Sequence, residues 1–170
     1  MYANLETERL YIRPIELKDS SFLKVLVNSK GWLQFIGDRL VSNEKDAEQY
    51  LRNIREKANC YYHVFALKDD NVSIGVVTFL KRENHEFPDI GFAILPEFEG
   101  KGYALEASRS YLIKMQEAFI GENIIAITLS HNIKSINLLK KLGLKYQYDY
   151  KEKEEKLSLF SLRDMKRRDK

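Results

Sequence analysis

The sequence predicts a mixed α/β (α+β) fold in which a single sheet is flanked by helices. In the middle of the chain, the apolar run 90–95 suits a buried strand and is followed by a glycine loop at 100–102. Beyond the loop, apolar residues recur every three or four positions over residues 104–119, as on one face of a helix. Paired strand candidates lie on both sides of this strand–loop–helix unit, and this mixture of strands and helices indicates a single α/β or α+β sheet.

The N-terminal half predicts two helices and three strands. Each helix follows a residue that can cap it, Asp19 or Ser20 before the first and Asn43 before the second. A short aromatic segment after Gly31 lies between them. The strands are expected at residues 10–15, 61–67 and 73–80, the last two forming a hairpin that a polar connection at 81–88 follows.

The C-terminal half predicts three strands and one further helix. Residues 124–129 form a buried type of strand, and Asn132 can cap a helix that Gly143 ends. Two final strands at 145–150 and 156–162 are expected to pair across the charged residues 151–155. The remaining residues, 163–170, form a basic tail that we expect to fray.

Composition narrows the class of protein. The 170 residues suit one domain, and the apolar share of 44% and charged share of 31% are typical of soluble globular proteins. No apolar run approaches the ~20 residues of a membrane span, and the first residues lack the features of a secretory signal. One cysteine allows no internal disulfide. We therefore expect a cytoplasmic protein without a membrane partner, and a net charge of +3 gives no reason to expect a nucleic-acid partner.

The glycine loop indicates a site for a phosphate or pyrophosphate. Glycine lets a ligand approach the main chain closely, and the first N–H groups of the following helix lack partners within it. A P-loop is absent, because no G-x-x-x-x-G-K-[ST] occurs. A dinucleotide fingerprint is also incomplete, because Leu105 stands where its third glycine belongs. A plain tight turn between two packed elements remains the alternative.

Two motifs give the loop a family resemblance. Residues 99–104, Glu-Gly-Lys-Gly-Tyr-Ala, resemble the acetyl-CoA loop Q/R-x-x-G-x-G/A of the GNAT superfamily of N-acetyltransferases. Residues 132–144 resemble its second signature, Asn-x-x-Ser followed by an apolar helix and Leu-Gly-Phe. Residues 89–92 and 8–14 resemble the RimJ/RimL-type branch, which includes ribosomal-protein N-terminal acetyltransferases. The resemblance implies acetyl-CoA as cofactor, an amine as acceptor, and a mostly antiparallel, twisted sheet with a splayed central strand pair.

The resemblance also implies which residues bind the cofactor. Main-chain amides of the loop would hold the pyrophosphate, and the strand before the loop and Asn132 would hold the pantetheine arm. Glu99 departs from the Gln or Arg of the family, and Lys101 can either supply a compensating charge or be a solvated loop residue. Asn132 can equally be a simple helix cap. The predicted cofactor-binding residues are Phe92, Ile94, Leu95, Glu99, Gly100, Lys101, Gly102, Tyr103, Ala104, Asn132 and Ser135.

Two residues are candidates for proton transfer. Many family members carry a tyrosine acid at the position of Leu139, so we propose Ser135 in its place, with a structural hydroxyl as the alternative. Asp89 precedes Gly91 where relatives often have an acidic residue, and it can act as the base through a water chain. The alternative for Asp89 is a surface residue at the start of a strand.

The acceptor site is expected beside the segment before the second helix. Trp32, Phe35 and Arg39 offer an aromatic wall and one charge, although both aromatic residues can equally be core. Residues 61–63 can face the same cleft. The three histidines lack the spacing of metal ligands, so no metal is expected. The acceptor can be a peptide α-amine or a small-molecule amine, and the protein a monomer or homodimer. Two other classes stay open: a non-catalytic acyl-CoA-binding module, and a ribosome-associated protein that works through its tail.

Overall fold

A computed structural model describes residues 4–165 and shows one sheet of eight strands. The strand order is β1-β2-β3-β4-β5-β6-β8-β7, and every neighbouring pair is antiparallel except β5 and β6. The predicted mixed, mostly antiparallel sheet is therefore confirmed. The strands are β1 Leu5–Glu6, β2 Leu10–Pro14, β3 Cys60–Leu67, β4 Ser73–Leu80, β5 Asp89–Ile94, β6 Ile125–Leu129, β7 Lys145–Glu152 and β8 Glu155–Ser161.

Within residues 4–165, five α-helices flank the sheet: α1 Ser20–Val27, α2 Lys30–Phe35, α3 Glu44–Glu56, α4 Tyr103–Ala118 and α5 Ile133–Lys141. The start of α3 follows the prediction, because Asn43 Oδ1 accepts from the Asp46 N–H at 3.1 Å and Asp46 Oδ2 accepts from the Asn43 N–H at 3.2 Å. The start of α1 differs. Asp19 makes no side-chain cap of α1, because its carboxylate oxygens both lie 2.7 Å from the guanidinium of Arg13 and one also accepts from the Glu16 N–H at 2.8 Å.

Two hydrophobic cores lie on opposite faces of the sheet. On the first face, α4 and α5 pack Tyr111, Met115 and Leu139 against strand residues such as Ile90 and Phe160. On the second face, α1, α2 and α3 pack a separate set against β3 and β4, which includes Leu23, Trp32, Leu51, Val64 and Val76. Because strand side chains alternate, Phe92 and Ile94 of β5 join the first core and Ala93 joins the second.

The C-terminal hairpin is longer than the sequence predicts. β7 and β8 continue through the charged residues as far as the pair Glu152↔Glu155, so only residues 153–154 form the turn, with Lys153 at a φ of 55°. Charged side chains on an edge strand remain in water and therefore do not interrupt the ladder. A register shift between Tyr146 and Tyr148 marks a bulge in β7.

The part of the tail that the structure describes, residues 163–165, is hydrogen-bonded to the rest of the protein. The Arg163 N–H donates to Asn123 Oδ1 at 3.0 Å, and the Met165 N–H donates to Gln147 Oε1 at 3.1 Å. The other tail residues, 166–170, lie outside the described range. Within residues 4–165, no helix combines the length and the apolar character that a membrane span needs.

Candidate active site

The parallel strands β5 and β6 part from each other almost at once. Their register contains a single pair, Asp89↔Ile125, whereas β5 pairs with β4 along its whole length. Beyond Asp89, the edge of β5 that faces β6 therefore has main-chain groups without a strand partner. Splayed parallel strands leave a cleft that opens toward the glycine loop, where an extended ligand can hydrogen-bond to β5.

The glycine loop presents unpaired main-chain donors at the mouth of this cleft. Gly100 and Gly102 have φ angles of +76° and +84°, in the left-handed region that glycine adopts without strain. Within residues 4–165, the N–H groups of residues 100–105 donate to no acceptor, and the first paired amide is that of Glu106, which donates to Gly102 at 3.0 Å. A Cβ added to Gly100 would meet no atom within 4 Å. Six free donors at the positive end of α4 suit an anion.

Arg9 binds the glycine loop through a main-chain carbonyl group of the loop. Its guanidinium donates to the Lys101 carbonyl at 3.0 Å and to Glu106 Oε2 at 2.7 Å, and it lies 4.3 Å above the Tyr103 ring. The loop is therefore fixed with its amides left unpaired. Arg9 lies in the predicted motif at residues 8–14, but its contact with the loop could not be predicted, because 92 residues separate it from Lys101.

An ion pair connects the loop to α5. Lys134 Nζ lies 2.5 Å from Glu99 Oε2, so the first turn of α5 neutralises the carboxylate that departs from the family motif. Lys101 does not do this, since its ammonium lies 5.4 Å from the centroid of the Phe98 ring. Lys134 lies between the two predicted cofactor-binding residues Asn132 and Ser135, but the sequence motif does not identify Lys134.

The predicted residues of α5 lie at its N-terminus. Asn132 Oδ1 accepts from the Ser135 N–H at 3.2 Å, which is a helix cap, while its side-chain amide donates to no other group among residues 4–165. Ser135 is half-buried. Leu139, which stands where many family members have a tyrosine, is buried and packs in the first core.

Asp89 is not the surface residue that the alternative interpretation describes. Its carboxylate is 3% exposed and lies 2.6 Å from Arg82 Nε, at the point where β5 and β6 part. Burial raises the pKa of Asp89 to about 6, although the charge of Arg82 acts in the opposite direction. A carboxyl group with this pKa can accept a proton near neutral pH.

The three predicted acceptor residues are placed differently from one another. Trp32 is 3% exposed and belongs to the second core, so its side chain is core. Phe35 is half-buried, and its ring centroid lies 5.8 Å from that of His131, just before α5. Arg39 is exposed, and its Nε donates to the Tyr50 hydroxyl at 3.2 Å.

The neighbouring residues 61–63 do not share one cleft. Tyr62 belongs to the second face, as Tyr50 does, whereas Tyr61 packs on the first. His63 also points to the first face, with its ring centroid 4.7 Å from that of Tyr111, and burial lowers its pKa to about 4. The expectation that all three face the acceptor cleft is therefore wrong for Tyr61 and His63, because strand side chains alternate between faces.

Metal and thiol chemistry find no support in the described part of the chain. Residues 4–165 contain no group of three or more His, Cys, Asp or Glu side chains that could hold a metal ion. Cys60 is buried at the start of β3, and this burial raises the pKa of its thiol, which disfavours the nucleophilic thiolate.

Comparison with known proteins agrees with this arrangement. A curated relative, the uncharacterized N-acetyltransferase YnaD of Bacillus subtilis (strain 168), is 28% identical over 148 residues, which cover 87% of this chain and 86% of the relative. The same fold occurs in a GNAT-family acetyltransferase of Bacillus anthracis (TM-score 0.79, 22% identity, 94% and 97% of the two chains). It also occurs in RimL, a ribosomal L7/L12 α-N-protein acetyltransferase in complex with coenzyme A (TM-score 0.79, 12% identity, 94% and 97%).

The acetyltransferase (GNAT) domain family matches residues 9–145, which span the glycine loop, the parted strands and most of the sheet. GNAT acetyltransferases use acetyl-CoA, and the free amides of the loop suit its diphosphate. The chain therefore belongs to the GNAT family of acetyl-CoA-dependent N-acetyltransferases.

Proposed function

We propose that this protein, as one N-acetyltransferase domain, transfers the acetyl group of acetyl-CoA directly to a primary amine. The acceptor is either the α-amine of a peptide or protein, or a small-molecule amine. The observation that carries the proposal is the set of six unpaired amides at residues 100–105, placed at the open end of the cleft between β5 and β6.

The chain offers one continuous track for the cofactor. The amides of the loop bind the diphosphate, and the main chain of Phe92, Ile94 and Leu95 binds the pantetheine arm. The side chains of Phe92 and Ile94 pack in the first core and that of Leu95 in the second, so these residues combine a structural role with main-chain binding. The unengaged side-chain amide of Asn132 adds a donor from the α5 side. The thioester then lies deep in the cleft, toward Asp89.

Two side chains handle the protons of the reaction. The amine nitrogen attacks the thioester carbonyl, and its proton passes through water to the carboxylate of Asp89. As the C–S bond breaks, the hydroxyl of Ser135 passes a proton to the leaving thiolate and takes one from solvent water, so the serine ends neutral. Phe35, whose ring lies beside His131 just before α5, and Arg39 contact the rest of the acceptor in this proposal.

Thiol release from acetyl-CoA in the presence of single amines tests the function. The panel contains short peptides with free α-amines, the same peptides with blocked N-termini, and small aliphatic amines and polyamines. We expect release that depends on an unblocked amine and equals the amount of acetylated product. Tight binding of CoA without release for any amine would contradict the proposal and would favour a non-catalytic CoA-binding module.

Lys134 is expected to raise the affinity for CoA by neutralising the negative charge of Glu99. In Lys134→Ala, the unpaired carboxylate lies next to the diphosphate-binding amides, so CoA affinity should fall about five- to tenfold, or roughly 1 kcal/mol. In a Glu99→Gln background the same change should have little effect. Calorimetric titration of CoA into the wild type, Lys134→Ala, Glu99→Gln and the double variant completes this double-mutant cycle. Equal losses in both backgrounds would show that the ion pair has no such role.

Ser135, which the sequence also places among the cofactor-binding residues, is expected to act mainly in the chemical step. Ser135→Ala should lower kcat about tenfold, a modest loss because water can also protonate a thiolate, and the Kd for CoA should change less than twofold. Ser110→Ala, in the half-buried part of α4, is the control. Single-turnover rates measure the step directly. An unaltered rate and pH–rate profile would remove Ser135 from catalysis.

A further inference from the structure

A polar cluster lies beyond the closed end of the cleft, where three separate segments meet. Arg82 and His85 come from the connection between β4 and β5, Asp89 begins β5, and Tyr150 belongs to β7. Arg82 pairs with Asp89 at 2.6 Å, and the ring centroids of His85 and Tyr150 lie 6.1 Å apart. Tyr150 also lies close enough to Arg82 and Asp89 for their charges to act on its hydroxyl, so the two pairs form one cluster around residues 61 positions apart in the sequence.

Tyr150 faces away from α5 and its neighbours on the first face. It pairs with Leu157 of β8, whereas the adjacent Asp149 points to the other face and accepts from the Ser158 hydroxyl at 2.6 Å. The second core, which α1, α2 and α3 cover, includes no residue of β6, β7 or β8 among those described. No described residue of the second core therefore lies on the Tyr150 side of β7, where the neighbouring Tyr148 is 45% exposed. We take this exposed part of β7 as the side from which a substrate approaches.

The hydroxyl of Tyr150 is buried and, within residues 4–165, has no hydrogen-bond partner. Buried hydroxyl groups in proteins are nearly always paired, because an unpaired one loses its hydrogen bonds to water without replacement. Burial, together with the carboxylate of Glu152, raises the pKa of Tyr150 to about 12. The phenol is therefore neutral at physiological pH and able both to accept and to donate a hydrogen bond.

We propose that Tyr150 is an acceptor-binding residue whose hydroxyl accepts a hydrogen bond from the N–H of the incoming primary amine. The inference rests on the proposed function, which places the thioester between the glycine loop and Asp89. An amine that attacks this thioester and passes its proton toward Asp89 lies beside the cluster. The Tyr150 hydroxyl there fixes the direction of the nitrogen lone pair, and the amine supplies the partner that the hydroxyl lacks.

Tyr150→Phe tests the assignment, because it removes only the hydroxyl. We expect kcat/KM for the amine to fall at least tenfold, mainly through a higher KM for the amine, while the Kd for CoA changes less than twofold. The melting temperature should stay the same or rise, since the variant loses a buried unpaired polar group. Tyr148→Phe is the matched control, as this tyrosine lies on the same face of the same strand but is 45% exposed. The control should keep kcat/KM within twofold.

The outcomes separate the two proposals. A Tyr150→Phe variant with the kcat/KM of the wild type would overturn the role of Tyr150 and leave the transferase function intact. A loss of activity that comes with a lower melting temperature or weaker CoA binding would also overturn it, because the hydroxyl would then be structural. Failure of the wild-type protein to release thiol with any amine would contradict the proposed function, and the assignment of Tyr150 would fall with it.

Discussion

Gly102→Glu is expected to abolish CoA binding while the protein stays folded. Gly102 precedes α4 in the left-handed conformation, at a φ of +84°, in the middle of the six unpaired amides. A glutamate there adds a negative charge to the loop that we propose holds the diphosphate, and its Cβ would lie 3.4 Å from the Arg9 guanidinium that fixes this loop. We expect the Kd for CoA to rise at least about 100-fold, since the new carboxylate repels the diphosphate and disturbs the arrangement of the amides, which blocks several hydrogen bonds. Calorimetry and circular dichroism measure binding and folding.

Gly121→Glu provides the matched control. Gly121 follows α4 at a φ of +88°, so the same substitution causes the same backbone strain of about 1–2 kcal/mol, but at the opposite end of the helix. A Cβ at Gly121 would meet no atom within 4 Å. This variant should lose similar stability and bind CoA within twofold of the wild type. If both variants lost affinity equally, strain and not the blocked amides would be the cause.

Asp89→Asn is expected to lower kcat on the order of 100-fold and to remove the acid limb of the pH–rate profile. In the proposed mechanism the carboxylate form is the base, so protonation should inactivate the wild type as the pH falls through its pKa of about 6. Asparagine cannot accept the proton, so its residual rate should not follow this limb. Single-turnover acetylation between pH 5 and 8 measures the effect. A variant that keeps both the rate and the limb would exclude Asp89 as the base.

The same carboxyl group predicts how stability depends on pH. The folded-state pKa of Asp89 is higher than its ordinary value of 3.8, so folding binds a proton between pH 4 and 6. The stabilisation is complete below pH 4 and is lost as the pH rises through about 6, a change of about 3 kcal/mol. Asp89→Asn should remove this decrease from the urea-unfolding free energy. Asp19→Asn, which breaks the buried ion pair between Asp19 and Arg13, is the control for the rate measurements. This variant should leave the acid limb of the pH–rate profile unchanged.

Local patterns predicted most of the fold. The hairpin expected at 61–67 and 73–80 is found at Cys60–Leu67 and Ser73–Leu80, because alternating apolar residues and a polar turn define it within twenty residues. Asp19 illustrates the limit. Its residue type is that of a helix cap, yet Arg13 of the preceding strand takes the carboxylate, and a tertiary contact of this kind leaves no mark on the local pattern.

The candidate site divides in the same way. The glycine loop is contiguous, so its motif alone predicted a candidate anion site, and the amides there are unpaired within residues 4–165. Lys134, Arg82 and Tyr150 take part through contacts between distant segments, and no spacing in the sequence reveals such contacts. The wrong expectation for Tyr61 and His63 has another cause, because both residues flank Tyr62 on the same strand. The alternation of side chains was enough to show that these two neighbours cannot face the same cleft as Tyr62.

A crystal structure of the protein with bound CoA is the most direct test of how this chain binds its cofactor. We predict that oxygens of the diphosphate lie within hydrogen-bonding distance of several N–H groups of residues 100–105, with the pantetheine arm along β5 and its sulfur nearest to Asp89. A cofactor bound elsewhere on the protein, with these amides still unpaired or covered by the chain itself, would contradict the account.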